Sequence, residues 1–239
     1  MSASLHLAVR NAEALTTALA RTRGHELVTR PGFLAMTGPS LSRVLVRRPD
    51  PAADDLDEIR SLVGRAEARV VVEDSFGAVD GAALGLTALG LTAGHLPVMV
   101  REPGPLPAPA VEVTRVRTAA ELAVAERVVV DGFPMSGFPP GQALPAGLLD
   151  ADGFHLHLAR RAGEPAGACL TVVGEGVGGV YWVATLPAHR SRGVGRALVH
   201  AVLNEFPVPM TLTATAAGRP LYDSLGFSVV ARATWWSND

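Results

Sequence analysis

Apolar positions along this chain recur at two periods. Val194, Leu198, Val202 and Phe206 stand at helical spacing and predict a helix over about 193–205. Strict alternation in FHLHLARR (154–161) sets Phe154, Leu156 and Leu158 on one face; with AGACLTVV (166–173) beyond a GEP turn, it predicts a hairpin. VEVTRVR (111–117), VGGVYWVAT (177–185), TLTAT (211–215) and FSVVARATWW (227–236) also read as strands, and Pro220–Leu225 as a short helix. Thr118 followed by Glu121 is a capping-box pattern opening a helix that runs to about Val130. Earlier in the chain the patterns predict helices at Asn11–Arg23 and Asp54–Ala66 and a third ending in LGLTALGL. Strands fall near FLAMTG, SRVLVRR, RVVVED and LPVMV.

Between these halves lies REPGPLPAPA (101–110), whose four prolines favour an extended, semi-rigid spacer. The expected organisation is a first domain over 1–100, a linker over 101–110 and a second domain over 111–239. Leu89-Gly90-Leu91 before the last strand of the first half echoes Leu225-Gly226-Phe227 before the last strand of the second. The order of elements is similar in both halves.

Composition narrows the classes. With 239 residues, 48% hydrophobic and 18% charged, the chain forms a packed core rather than a disordered ensemble. The net charge of −2 gives no basic field for nucleic acid or an anionic membrane, so neither is an expected partner. All 21 basic residues are arginine, which fits a GC-rich bacterial genome and suits a phosphate-gripping site. One cysteine, Cys169, excludes an internal disulfide, and in an apolar strand it reads as a buried structural thiol. The N-terminus lacks a basic leader, so a cytoplasmic chain is expected. Gly81–Val100 carries no full charge, but its five Gly or Pro residues argue against a membrane helix.

The sharpest chemical signal is TLPAHRSRGVGRAL (185–198), between a strand and an amphipathic helix. Gly193 and Gly195 allow backbone amides to approach a ligand, and the helix start adds unpaired N–H groups and a positive dipole end. Arg190, Arg192 and Arg196 add positive charge, so the segment reads as a pyrophosphate cradle. It is neither a dinucleotide fingerprint, since position 198 is Leu, nor a Walker loop, since the chain has no lysine. Taken alone, a Gly-x-Gly turn with solvated arginines would look similar.

Arg190-x-x-Gly193-x-Gly195, after a strand ending Val183-Ala184-Thr185-x-Pro187, resembles the acyl-CoA motif of the GNAT acetyltransferases. Leu221-Tyr222-Asp-Ser-Leu225-Gly226-Phe227 stands where a second family feature is found. The resemblance covers about 111–239 and implies an α/β fold with a mixed α+β sheet. It implies that Val183, Ala184 and Thr185 splay from a neighbouring strand and pair with a pantetheine arm. The amides of Arg190, Ser191, Arg192, Gly193, Val194, Gly195 and Arg196 would hold the pyrophosphate of acetyl-CoA. Tyr222 would protonate the departing thiolate, as a phenol near pKa 10 can. No metal is implied.

Two positions depart from the family. Thr215 and Gly218 stand where it often has Asn and Ala, and the strand 179–185 holds no carboxylate to serve as base. His155 and His157, on one face of a neighbouring strand, titrate in the right range, although two half-exposed strand histidines would look the same. Glu175 reads as a solvated turn residue. PMSGFPP (134–140) falls where the family's acceptor loop lies, and Trp235-Trp236 reads as one ring inward and one outward.

The first half reads as a smaller, degenerate GNAT-like domain. Its counterpart to the cradle, Arg48-Pro-Asp50-Pro-Ala-Ala-Asp54-Asp55, has no glycine and three aspartates, which repel pyrophosphate. That domain would pack on the other, close one side of the acceptor site or make a homodimer. The functional expectation is transfer of acetyl from acetyl-CoA to a primary amine of a small molecule, amino acid or peptide by direct attack. The alternative is a non-catalytic acyl-CoA-binding or sensing module.

Overall fold

A computed structural model describes residues 3–67, 69–133 and 138–238. The chain forms two compact units, one of residues 1–100, 213–222 and 228–239, the other of 101–212 and 223–227.

The first unit opens with α1 (Ala3–Arg23), β1 (Glu26–Thr29), β2 (Phe33–Thr37), β3 (Leu41–Val46), α2 (Ala53–Arg65), β4 (Arg69–Asp74) and β5 (Thr92–Arg101). Two late elements complete it: α5 (Arg219–Ser224), most of which belongs here, and β11 (Ser228–Ser237). Its strand order is β1-β2-β3-β4-β11-β5, so the C-terminal strand lies between β4 and β5. β11 runs antiparallel to β5 from Ser228↔Val100 to Ser237↔Thr92, and to β4 from Thr234↔Asp74 to Ser237↔Val71. One face of this sheet packs on α1 through Leu5, Val9 and Ala12; the other packs on α2 and the 79–91 segment through Ile59, Val63, Leu86 and Leu91. Both faces are therefore covered. Trp235 packs with Leu5, Val98 and Ala233, and Trp236 with the α2 side, so neither ring turns to solvent as the alternation alone suggested.

The segment expected as a helix ending LGLTALGL is a run of turns. Gly85 and Gly90 adopt φ +75° and +85°, which interrupts a regular helix. The next residues form β5, and no helix among the described residues is long and apolar enough to cross a membrane. Gly90 and Gly226 share a left-handed turn, each N–H bonding three residues back, to Thr87 O and Asp223 O. The Leu-Gly echo is thus a repeated conformation before β5 and β11.

The second unit contains β6 (Glu112–Arg115), α3 (Ala119–Gly132), β7 (Phe154–Arg161), β8 (Glu164–Gly174), β9 (Val177–Thr185), α4 (Val194–Glu205) and β10 (Met210–Thr213), in strand order β10-β9-β8-β7-β6. The capping box forms as the sequence predicts: Thr118 Oγ1 accepts from Glu121 N, and the Glu121 carboxylate accepts from Thr118 N. α3 and α4 cover opposite faces of the sheet. Ala184 Cβ lies beneath Gly132 of α3, whereas Gly167, opposite Thr185, lies beneath Val194 and Leu198 of α4.

The two units share a topology. β1-β2-β3 and β7-β8-β9 are antiparallel runs, and a helix then leads to a parallel strand, β4 or β10.

Candidate active site

The site is built on β9. Its register against β8 shifts between Ala168 and Leu170, so that Cys169 faces an extra residue at Trp182–Val183. Trp182 has φ +50°. A bulky side chain rarely adopts that conformation, which costs about 1–3 kcal/mol and gathers at functional positions. The bulge bends the strand. On its other edge β9 meets β10 at Met210↔Gly178 and Thr211↔Gly179, and among the described residues the β9–β10 register ends there. β10 thus leaves Val180–Thr185 unpaired, an edge that an extended ligand can join as an added strand. In the first unit the equivalent pair, β3 and β4, stays zipped from Leu41↔Arg69 to Leu45↔Glu73.

Beyond Thr185, Leu186 N bonds Ala166 O, a single 3₁₀ turn covers Pro187–His189, and Ser191 and Gly193 take φ +57° and +79°. Gly193 is the N-cap of α4, and no side chain caps it. The first amides of the helix therefore lack an intrahelical acceptor and form the positive end of the dipole. Two glycines set this geometry. A Cβ on Gly167 would lie 2.6 Å from Val194 Cγ1 and 2.8 Å from Ala184 O; one on Gly132 would lie 3.1 Å from Ala184 Cβ. Neither was distinguishable from other strand or helix-end glycines in the sequence.

The three arginines have different surroundings. Arg190 donates from Nε to Thr185 O (3.3 Å) and from Nη2 to Gly132 O (3.2 Å), tying the end of α3 to the end of β9. Arg196 donates to Ser224 Oγ at 2.8 Å. Arg192 is exposed, with no hydrogen-bond or ion-pair partner among the described residues. Tyr222 is buried and belongs to the first unit. A Cβ on Gly218 would sit 3.0 Å from its ring, so the ring lies close over the glycine. Thr215 Oγ1 accepts from Gly218 N at 3.2 Å, opening the turn that leads into α5.

His155 and His157 are not a pair of half-exposed residues. His157 is 2% exposed and donates from Nε2 to Glu205 Oε2 at 2.7 Å, leaving Nδ1 buried without a partner among the described residues. His155 stacks on Phe206 and accepts from Arg115, which also donates to Glu205. The face opposite Phe154 and Leu156 is therefore covered by the end of α4, and both imidazoles lie in one cluster there. Cys169 is buried and its thiol is pushed up to about 12 by burial, with Glu205 adding to the effect, so it is no nucleophile at neutral pH. Glu175, at φ +50° beside Gly176 at +75°, forms the β8–β9 turn. Residues 134–137 of the expected acceptor loop lie outside the described residues.

Burial holds His157 below its ordinary value of 6.5, against the opposing pull of Glu205, and His155 shifts the same way through burial and Arg115. Below pH 6.5 the unfolded chain binds protons that the folded chain refuses, so stability falls with falling pH. The expected result is a denaturation midpoint that drops from pH 7 to pH 5. His157 contributes at most about 1.4 kcal/mol per pH unit. The slope is reduced in His157→Gln; an unchanged slope in that variant would exclude this source.

Residues 152–229 match the family model described as acetyltransferase (GNAT) domain. That stretch runs from β7 to α5 and includes the β9–α4 connection. Solved structures share the fold over most of its length. A GCN5-related N-acetyltransferase from Kribbella flavida is 22% identical with a TM-score of 0.67, covering 97% of this chain and 95% of that one. An acetyltransferase of the GNAT family from Novosphingobium aromaticivorans is 15% identical, TM-score 0.59, over 88% and 89%. A tandem GNAT protein from the clavulanic acid biosynthesis pathway is 16% identical, TM-score 0.52, over 88% and 81%. No curated protein matches the sequence.

Proposed function

We propose that the chain moves an acetyl group from acetyl-CoA to a primary amine of a small molecule. The observation that carries this reading is the edge of β9 left unpaired by β10, leading directly into the uncapped start of α4. The strand offers backbone groups at Val183–Thr185 to an extended arm. The loop Arg190–Arg196 offers amides to a pyrophosphate. Arg190 orders the loop, and Arg192 supplies a free guanidinium.

In the reaction the amine nitrogen attacks the thioester carbonyl, a backbone N–H of the strand stabilises the oxyanion, the C–S bond breaks and Tyr222 protonates the thiolate. An ammonium loses one proton before it attacks and the nitrogen sheds another as the amide forms; strand β9 has no carboxylate to take either, so water or a group elsewhere accepts them. The first unit serves as a degenerate GNAT-like partner without CoA. Its zipped β3–β4 pair supports this, as does Asp55, whose carboxylate accepts from Ala52 N at the start of α2. The chain-length match to a tandem GNAT protein fits the same arrangement.

Titration calorimetry with acetyl-CoA is expected to give one site per chain. A panel of amines assayed for released thiol should then show turnover, and Tyr222→Phe should lower kcat about a hundredfold with little change in acetyl-CoA Kd. Unchanged kcat removes the acid role from Tyr222. Binding without turnover on any amine favours the acyl-CoA-sensing alternative, and two sites per chain overturn the reading of the first unit.

A further inference from the structure

A cleft of about 310 Å³ lies in the second unit between α3 and the segment 138–146. That size suits a small ligand. Its walls are chiefly apolar, with Leu122, Val130, Phe138, Pro140 and Leu144 among them. Three charged residues also line it, and their surroundings differ.

Glu126 is 5% exposed, and its carboxylate accepts from Gly141 N (2.6 Å), Ala143 N (2.8 Å) and Leu144 N (3.0 Å). Three of its roughly four acceptor positions are taken by the wall and the group is buried, so it offers a ligand no open contact. Asp131 is exposed and has no hydrogen-bond or ion-pair partner among the described residues. It sits beside Gly132, which packs against Ala184 and Thr185 at the end of the unpaired β9 edge. Arg127, likewise without an ion-pair partner among the described residues, lies one helical turn back, about 6 Å along α3.

We propose that this cleft is the acceptor pocket and that it selects primary monoamines with an apolar body. The inference rests on the acetyltransferase reading above. Asp131 draws the cationic end of the amine to the β9 end of the cleft, and the hydrocarbon body lies along Leu122, Val130 and Leu144. A linear diamine of similar length brings its second ammonium beside Arg127, where the buried Glu126 is bonded to the wall and makes no direct contact with it. The pocket thus discriminates by charge as well as by shape.

The test compares hexylamine, ethylamine and 1,6-diaminohexane at fixed acetyl-CoA, by thiol release. Hexylamine is expected to show a kcat/KM at least tenfold above each of the others. Arg127→Ala should narrow the hexylamine-to-diamine ratio at least fivefold. Ala123→Trp, at an exposed position lining the cleft, should raise the hexylamine KM tenfold or more while acetyl-CoA Kd stays within twofold. A flat amine series, or a KM unmoved by Ala123→Trp, overturns the proposal. Hexylamine binding to the CoA-loaded protein, read by calorimetry, separates the two readings. Binding that Ala123→Trp abolishes, without turnover on any amine, supports the pocket and sinks the enzyme. Absence of binding overturns the pocket itself.

Discussion

Removing Ser228–Ser237 should unfold the N-terminal unit, although the deleted residues lie at the other end of the sequence. β11 supplies ladder partners to β4 on one side and β5 on the other, and it carries the buried Ala233 together with Trp235 and Trp236, which pack on opposite faces of the sheet. A ladder hydrogen bond contributes about 1 kcal/mol and a large apolar side chain about 2–3 kcal/mol. Their sum matches or exceeds the 5–15 kcal/mol that typically separates a folded domain from its unfolded chain. A chain ending at Phe227 is therefore expected to lose its cooperative thermal transition in the first unit and to be cut by protease within residues 26–101. Addition of a peptide spanning 228–238 should restore protection. A truncated chain that melts and resists protease like the full chain would refute the strand's role.

Gly167→Val should be the most damaging single substitution near the site. The new Cβ would sit 2.8 Å from Ala184 O and 2.6 Å from Val194 Cγ1, and a backbone carbonyl in a sheet yields little. Overpacking of this kind costs about 1–3 kcal/mol. Relief is expected through a shift of the first turn of α4 away from β9, which displaces the amides that follow Gly193. The measurable result is a loss of about 3 kcal/mol in unfolding free energy, the upper end of that range. Acetyl-CoA affinity should weaken tenfold or more. Wild-type stability together with wild-type affinity would show that α4 is not held at this height by the glycine.

Local patterns carried much of the chain. The alternation of 154–161, the helical spacing of Val194–Phe206 and the Thr118–Glu121 box each identify an element from neighbours in sequence, and each element forms. The turn into α4 was legible for a similar reason, because Gly193 stands where φ is +79° and opens the helix. Features set by distant pairing were not legible. FSVVARATWW reads as a strand but does not reveal that its partners are β4 and β5. Nor does alternation tell whether a sheet is covered on one face or two, which is why His157 and the Trp235–Trp236 pair read as more exposed than they are. The β9 bulge and the early end of the β9–β10 pairing have no sequence signature beyond the glycines at 178 and 179. Gly178 has an evident reason, since a Cβ there would strike Met210 Sδ.

The position of β11 also sets a timetable for synthesis. β4 and β5 are complete once residue 101 has been made, but the strand that separates them begins roughly 130 residues later. At translation rates of about 5–20 residues per second, the gap lasts on the order of ten seconds. During that interval the nascent chain carries two unmated strand edges rich in valine, the kind of surface that other chains join. Slowed elongation through residues 102–227 should therefore lower the soluble yield of this protein more than it lowers that of a chain whose domains close in sequence order.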